Sequence, residues 1–176
     1  MAEDLKKYIR SIKDFPKQGI MFRDITTLLK NPSGIKLTLD GLLQHTKNMH
    51  IDKVAGIESR GFIFGALLAE KLNVGFIPIR KPNKLPGKKI KVEYALEYGV
   101  DVLEIHKDAI LPGEKVLVHD DLLATGGTAV AACKLIETLG GEVVQLSFII
   151  ELSFLKGRDK MKNYKINSLI NYSDEN

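Results

Sequence analysis

Apolar and polar positions along the chain follow two periods. Leu5, Tyr8, Ile9 and Ile12 recur at helical spacing, which predicts an opening amphipathic helix ended by Pro16 and Gly19. The segment GIMFRDITTLL shows no clear period before Pro32 interrupts it. Ser33 is then placed to cap a second helix with Ile35, Leu39 and Leu42 on one face. Val54 to Ile57 is a short apolar run that predicts a strand, with a turn at Glu58-Ser59-Arg60-Gly61. Phe62 to Leu72 is apolar nearly all round, as a buried helix is, and Asn73 stops it. Val74 to Ile79 returns as a strand, and Pro78 makes that strand irregular or places it near an edge.

Beyond it, Pro82, Pro86 and Gly87 mark a long loop, and Val92 to Glu104 predicts a short hairpin around Tyr98-Gly99. Val116 to Asp120 is the next strand. The helix that follows carries Ala132, Leu135, Ile136 and Leu139 on one face, with Lys134, Glu137 and Thr138 outward. Gly140-Gly141 closes that helix, and Val143 to Ile150 is a further buried strand. The stretch from Lys156 to Asn176 is polar, and its end is expected to be partly mobile. Two strand–turn–helix–strand units predict an α/β fold, a mostly parallel central sheet flanked by helices on both faces. Such sheets bind ligands at the C-terminal ends of their strands, where ESRG and DDLLATGGT should both lie.

Composition bounds this picture. The 176 residues are expected to form one domain, 1–176, long enough to bury roughly two-thirds of the unfolded surface. Hydrophobic residues make up 44% and charged residues 27%, ordinary values for a globular chain. The longest apolar run, Phe62 to Ala69, falls well short of the roughly 18 residues of a membrane span. The N-terminus MAEDLKKYIR is too charged for a signal peptide, and the lone Cys133 cannot form an internal disulfide, so a cytoplasmic location is expected. Net charge is +4, and Arg80, Lys81, Lys84, Lys88, Lys89 and Lys91 cluster without an intervening acid. Such a cluster attracts a polyanionic ligand, or is simply a solvated loop. Binding of nucleic acid is not expected, because no aromatic interleaving or known motif accompanies the lysines.

The candidate chemistry concentrates in VLVHDDLLATGGT, from Val116 to Thr128. An apolar strand ends in two carboxylates, a glycine–threonine loop follows, and a helix begins. Backbone N–H groups and the helix dipole favour an anion at that point, and the paired acids suit hydroxyl groups or a metal. Phosphate beside polyol is the outline of a ribose phosphate. Other fingerprints are missing. There is no GxGxxG, and Phe62 and Ile63 stand where a P-loop spaced from Gly56 and Gly61 needs Lys and Ser or Thr. One cysteine cannot build a cysteine zinc site, and His45, His50, His106 and His119 are scattered.

With these residues quoted, the chain resembles the type I phosphoribosyltransferases, whose signature is an apolar strand, paired acids and a TGGT-like loop. FRDIT (Phe22 to Thr26), ESRGF (Glu58 to Phe62), RKPNKLPG (Arg80 to Gly87), YALEYG (Tyr94 to Gly99), LEIHKDAI (Leu103 to Ile110), DDLLATGGT and ELSFLKGR (Glu151 to Arg158) are similar, in order, to the adenine-specific branch. The resemblance covers nearly the whole chain. It implies transfer of 5-phosphoribose from phosphoribosyl pyrophosphate to N9 of adenine, giving AMP and pyrophosphate. It also implies a small N-terminal hood over about residues 1–32 and a flexible closing loop over about 84–99.

Residue by residue, the resemblance implies that Ala124, Thr125, Gly126, Gly127 and Thr128 wrap the 5′-phosphate and that Asp120 and Asp121 hold the ribose hydroxyls. Glu58, Ser59 and Arg60 would form the pyrophosphate loop, often with a non-proline cis peptide, and Lys81 and Lys84 would add charge there. Glu97 would be catalytic, with Tyr98 a closing partner. Phe22 would stack on the purine, backbone near Met21 and Arg23 would read its edge, and Leu152 would line it. Mg²⁺ would be held mainly by substrate oxygens and water, with no dedicated protein ligand. A homodimer is expected. His119 and Met21 depart from the residues common at their positions. The alternatives are a 6-oxopurine transferase, against which FRDIT and YALEYG argue, and a sensor of phosphoribosyl pyrophosphate, against which the presence of Glu97 argues.

Overall fold

The structure, a computed structural model, describes residues 2–95 and 99–175. In chain order a short helix α1 (Ala2–Lys6) leads to a hairpin, β1 (Arg10–Lys13) and β2 (Met21–Asp24), then α2 (Thr26–Leu29) and α3 (Pro32–Gln44). Next come β3 (Lys53–Ile57), α4 (Gly61–Leu72), β4 (Gly75–Ile79) and a long hairpin, β5 (Lys89–Ala95) with β6 (Val100–His106). The chain continues through β7 (Lys115–Leu123), α5 (Gly127–Thr138) and β8 (Glu142–Leu152). Two 3₁₀ turns, Ser153–Leu155 and Gly157–Met161, precede β9 (Ile166–Tyr172).

The central sheet runs β4-β3-β7-β8-β9 with every neighbouring pair parallel. Side chains alternate across it, so adjacent residues feed two cores. Ala55, Val116, Val118 and Leu146 pack with Ala132, Leu135 and Ile136 of α5 and with Leu103 and Ile105 of β6. Val54, Leu117 and Ile149 pack on the other face with Leu39 and Leu42 of α3 and Phe64 and Leu68 of α4. Each such aliphatic or phenyl side chain contributes roughly 1.5–3 kcal/mol on full burial. At Gly56 and Gly65 an added Cβ would stand 2.7 and 2.8 Å from the Phe76 ring, so two glycines let that ring wedge between α4 and the sheet.

Several sequence expectations change. The opening helix stops at Lys6, and Ile12 lies in β1, because the hood hairpin claims residues whose spacing also fits a helix. Asn31, not Ser33, caps α3: its side chain accepts from Ser33 N at 3.0 Å and Gly34 N at 3.3 Å, with Pro32 in the first turn. The polar stretch after Lys156 supplies a fifth sheet strand, β9, pairing with β8 from Leu146↔Ile166 to Leu152↔Tyr172. The strand carrying Asp120 and Asp121 runs on to Leu123, which shortens the loop between it and α5. Asn73 does end α4, at φ 56°, and β4 with Pro78 is an edge strand. The predicted hairpin is present and extends from Lys89 to His106, with Ala95 opposite Val100. No helix among the described residues is long and apolar enough to cross a membrane.

Candidate active site

Two loops meet at the C-terminal edge of the sheet. The first joins β7 to α5. Gly126 sits at φ 80° as the N-cap of α5 and has no side chain to accept from the first-turn N–H groups. Those donors and the helix dipole face a cavity of about 70 Å³ lined by Asp120, Leu122 to Ala129 and Phe148. All five residues Ala124 to Thr128 border it. The loop is shaped from behind by Gly157, where a Cβ would meet Ala124 O at 2.2 Å, and a Cβ on Gly126 would meet Gly157 O at 2.6 Å. Arg158 fixes that contact. It donates to buried Glu151 from Nε at 2.6 Å and Nη2 at 2.7 Å, and Ser168 Oγ adds a 2.6 Å bond. Burial would raise the Glu151 carboxyl, but the Arg158 and Ser168 hydrogen bonds outweigh it and hold it below its ordinary value.

Asp120 and Asp121 leave β7 side by side. Asp120 borders the cavity and accepts from the Asp121 backbone N–H at 2.9 Å. Asp121 is 4% exposed, and Arg60 Nε lies 3.0 Å from its Oδ2 but off the N–H axis, an ion contact rather than a hydrogen bond. Removal from water and the neighbouring Asp121 charge push Asp120 well above the ordinary aspartate value. Desolvation also raises Asp121, against the pull of Arg60. Gly61 permits this junction, since a Cβ there would stand 2.9 Å from Asp120 Oδ1 and from His119 O. His119 itself is fully buried, and desolvation holds its imidazole down to about 3, so it stays neutral.

The second loop, Glu58 to Arg60, joins β3 to α4, and the Glu58–Ser59 peptide is cis. The Glu58 carboxylate accepts from Arg80 Nε at 3.2 Å, Arg80 Nη2 at 3.1 Å and the Lys81 backbone N–H at 2.8 Å. Those hydrogen bonds, led by Arg80, outweigh burial and keep it below its ordinary value. What position 58 can offer an anion is therefore its backbone, while its side chain ties the loop to β4. Arg60 stands between the Asp120–Asp121 pair and the hood hairpin, 3.0 Å from Asp121 and 5.3 Å from the Phe22 ring centroid. Lys81 donates to Tyr94 Oη at 3.1 Å and to Asp101, whereas Lys84 is exposed and its carbonyl accepts from Arg80 Nη1 at 3.1 Å.

Under the hood a cavity of about 190 Å³ is walled by Ile20, Met21, Arg23, Leu152, Phe154, Leu155 and Glu175. Three of the four predicted base residues meet here. The fourth, Phe22, alternates to the other face of β2, edge-on to Phe15 at 5.1 Å. Arg23 lies 3.9 Å from the Tyr172 ring centroid and donates to Ser11 Oγ at 2.5 Å and Glu175 O at 3.2 Å. Glu97 and Tyr98 lie outside the described residues. The strands on either side of them are placed, and a Cβ at Gly127 would stand 3.1 Å from Ala95 O, so this hairpin rests on the loop that opens α5.

Sequence reasoning passed over four residues that shape the site. Asp24 accepts from Arg10 Nε at 3.0 Å, Thr26 N at 2.8 Å and Thr26 Oγ1 at 2.8 Å, so the acid of FRDIT holds the hood together. Gly157 and Arg158 fall within ELSFLKGR but carried no assigned role. Asp101 gave no signal, being one exposed-looking acid in a hairpin.

Comparison with known proteins agrees with this geometry. A family model described as the phosphoribosyl transferase domain matches residues 24–174. The adenine phosphoribosyltransferase of Christiangramia forsetii is 59% identical over 170 residues, covering 97% of this chain and 99% of that protein. Its counterpart in Koribacter versatilis is 58% identical over 170 residues, covering 97% and 93%. The crystal structure of adenine phosphoribosyltransferase from Thermoanaerobacter pseudethanolicus matches with a TM-score of 0.95 at 50% identity, covering 98% of this chain and 100% of that one. The Saccharomyces cerevisiae enzyme, solved with an imino-altritol bisphosphate and adenine, matches with a TM-score of 0.92 at 42% identity, covering 96% and 97%. With sheet order, loop geometry and sequence in agreement over nearly the whole length, the chain belongs to the adenine phosphoribosyltransferases of the phosphoribosyl transferase domain family.

Proposed function

We propose that this enzyme transfers 5-phosphoribose from phosphoribosyl pyrophosphate to N9 of adenine, releasing AMP and pyrophosphate. The observation that carries this reading is the order of subsites along one sheet edge. A helix N-terminus for phosphate is followed by two carboxylates for hydroxyls, an arginine and a lysine for pyrophosphate, and a partly apolar cavity under the hood. A relative from Trypanosoma brucei has been solved in complex with AMP, pyrophosphate and ribose-5-phosphate.

In this reading Ala124 to Thr128 hold the 5′-phosphate, and Asp120 and Asp121 accept from the ribose hydroxyls. Arg60 exchanges its contact with Asp121 for the leaving pyrophosphate, joined by Lys81 and Lys84 and by the backbone of Glu58 and Ser59. Cleavage at C1 develops oxocarbenium character, so the protein positions the base, stabilises the departing anion and excludes water. Glu97 assists proton movement at the adenine imidazole, and Tyr98 closes beside it. Met21, Arg23 and Leu152 line the cavity under the hood that selects the base, while Phe22 presents its ring on the other face of β2, 5.3 Å from Arg60, as a stacking surface at its edge. The donor set fits a Mg²⁺ ion brought by the substrate. Asp120 and Asp121 supply adjacent carboxylates toward the ribose, hard oxygen donors of the kind Mg²⁺ takes. When bound, such an ion neutralises pyrophosphate charge. A homodimer fits the apolar outer stripe of α4, where Ile63 is 40% exposed.

Incubation with phosphoribosyl pyrophosphate, Mg²⁺ and each of adenine, hypoxanthine, guanine and xanthine tests the reading. AMP should form with adenine at a kcat/KM at least about a hundredfold above the other bases, the discrimination that polar groups reading a substrate edge provide. Preference for hypoxanthine or guanine would make it a 6-oxopurine transferase. Binding without turnover of any base would make it a sensor.

A further inference from the structure

Tyr94 and Asp101 face each other across the β5–β6 hairpin. The Tyr94 hydroxyl donates to Asp101 Oδ2 at 3.0 Å, accepts from Lys81 Nζ at 3.1 Å and accepts from Thr128 Oγ1 at 3.4 Å. A phenol has one proton to give and two lone pairs to fill, so every hydrogen-bonding capacity of Tyr94 is used. The Lys81 ammonium donates to Asp101 as well, and Asp101 Oδ1 is fixed by the Val102 backbone N–H at 2.8 Å. Tyr94 is buried, while the Lys81 and Asp101 side chains stay partly open to solvent. The result is a continuous polar bridge from the phosphate loop, through the base of the hairpin, to the lysine on the pyrophosphate side.

We infer that Asp101, bonded directly to Lys81 and to the Tyr94 hydroxyl, is a positioning residue that sets Lys81 for the pyrophosphate and, through Tyr94, couples it to the 5′-phosphate loop. An ammonium has three N–H bonds. Two are committed to Asp101 and Tyr94, which leaves one for a phosphoryl oxygen. The long lysine chain is thus ordered before substrate arrives, and the rotamer entropy otherwise lost on binding is already gone. Burial pulls the Lys81 ammonium down, but the bonds to Asp101 and Tyr94 outweigh it, so the lysine remains a cation. Because Thr128 and Lys81 share one hydroxyl, a change at either end of the substrate reaches the other through Tyr94. This inference rests on Lys81 serving the pyrophosphate, as proposed above.

Kinetics of Asp101→Ala, Asp101→Asn, Lys81→Met and the double variant Asp101→Ala/Lys81→Met test it, with thermal melts to confirm folding. Asp101→Ala should raise KM for phosphoribosyl pyrophosphate about tenfold while kcat moves less than about twofold and KM for adenine stays put. Asp101→Asn, which keeps an acceptor for Tyr94 but loses the charge, should fall between, and it carries the test if the alanine variant does not fold. The double variant should match Lys81→Met alone, since Asp101 acts through that lysine. A normal KM in Asp101→Ala beside a raised KM in Lys81→Met would overturn the inference, as would additive effects in the double variant. An unchanged KM in Lys81→Met would remove Lys81 from the pyrophosphate site and the inference with it. The wild-type base assay would stand independently of that result.

Discussion

Asp120 and Asp121 stand adjacent in a place poor in water, and both are harder to ionise than free aspartate. The sign of the linkage follows. A carboxyl whose folded pKa lies above its unfolded one binds its proton more tightly when folded. It therefore favours folding below the unfolded value, and that contribution is lost as pH rises through the folded value. Asp120→Asn removes the charge while keeping an oxygen to accept from the Asp121 N–H. The ligand-free variant should melt higher than wild type at pH 7, by on the order of 1 kcal/mol or about 2–4 °C, with the gain growing from about pH 4 upward. Its turnover of phosphoribosyl pyrophosphate should fall sharply. Calorimetry across that pH range showing no gain would mean that the pair is relaxed in the free protein. The null imidazole charge of His119 is consistent with the same dry surroundings.

At the scale of elements, the sheet was legible wherever both faces of a strand are buried. Val54 to Ile57 is an apolar run, and Val116 to Asp120 and Val143 to Ile150 are predominantly apolar, and such runs have few other places to go. β9 was not legible, because INSLINY is an edge strand whose residues are mostly half-buried, so its composition reads as surface. α1 was overextended because a four-residue hairpin strand is too short to show its own period. The loop from Ala124 to Thr128 stands out by its motif, whereas its support from Gly157 is a long-range contact with no local signature. That support gives a sharp prediction. Gly157→Ala places a methyl 2.2 Å from Ala124 O, a backbone atom, and should cost about 1–3 kcal/mol in a melt while raising KM for phosphoribosyl pyrophosphate. Gly75→Ala, where the nearest atom is Lys53 Cγ at 3.8 Å, should change neither quantity appreciably. Equal effects at both positions would detach Gly157 from the loop.

For the whole molecule, the outer stripe of α4 sets the expected assembly. Ile63 and Ala66 are exposed, with Phe62 and Leu67 partly so, while the opposite side of the helix is sealed against the sheet. A dimer mass is expected by light scattering at micromolar concentration, and Ile63→Glu should shift it toward monomer by placing a charge in the contact. A monomeric wild type would remove the homodimer from the proposal.

The hood also depends on both ends of the described chain. Leu5 of α1 is buried in the same core as Ile170 of β9, and Arg23 spans from the Tyr172 ring to the Glu175 carbonyl. Removal of the residues beyond Tyr172 would therefore take Glu175 out of the wall of the hood cavity and leave the loop that opens α5, backed by Gly157, with every group that lines it.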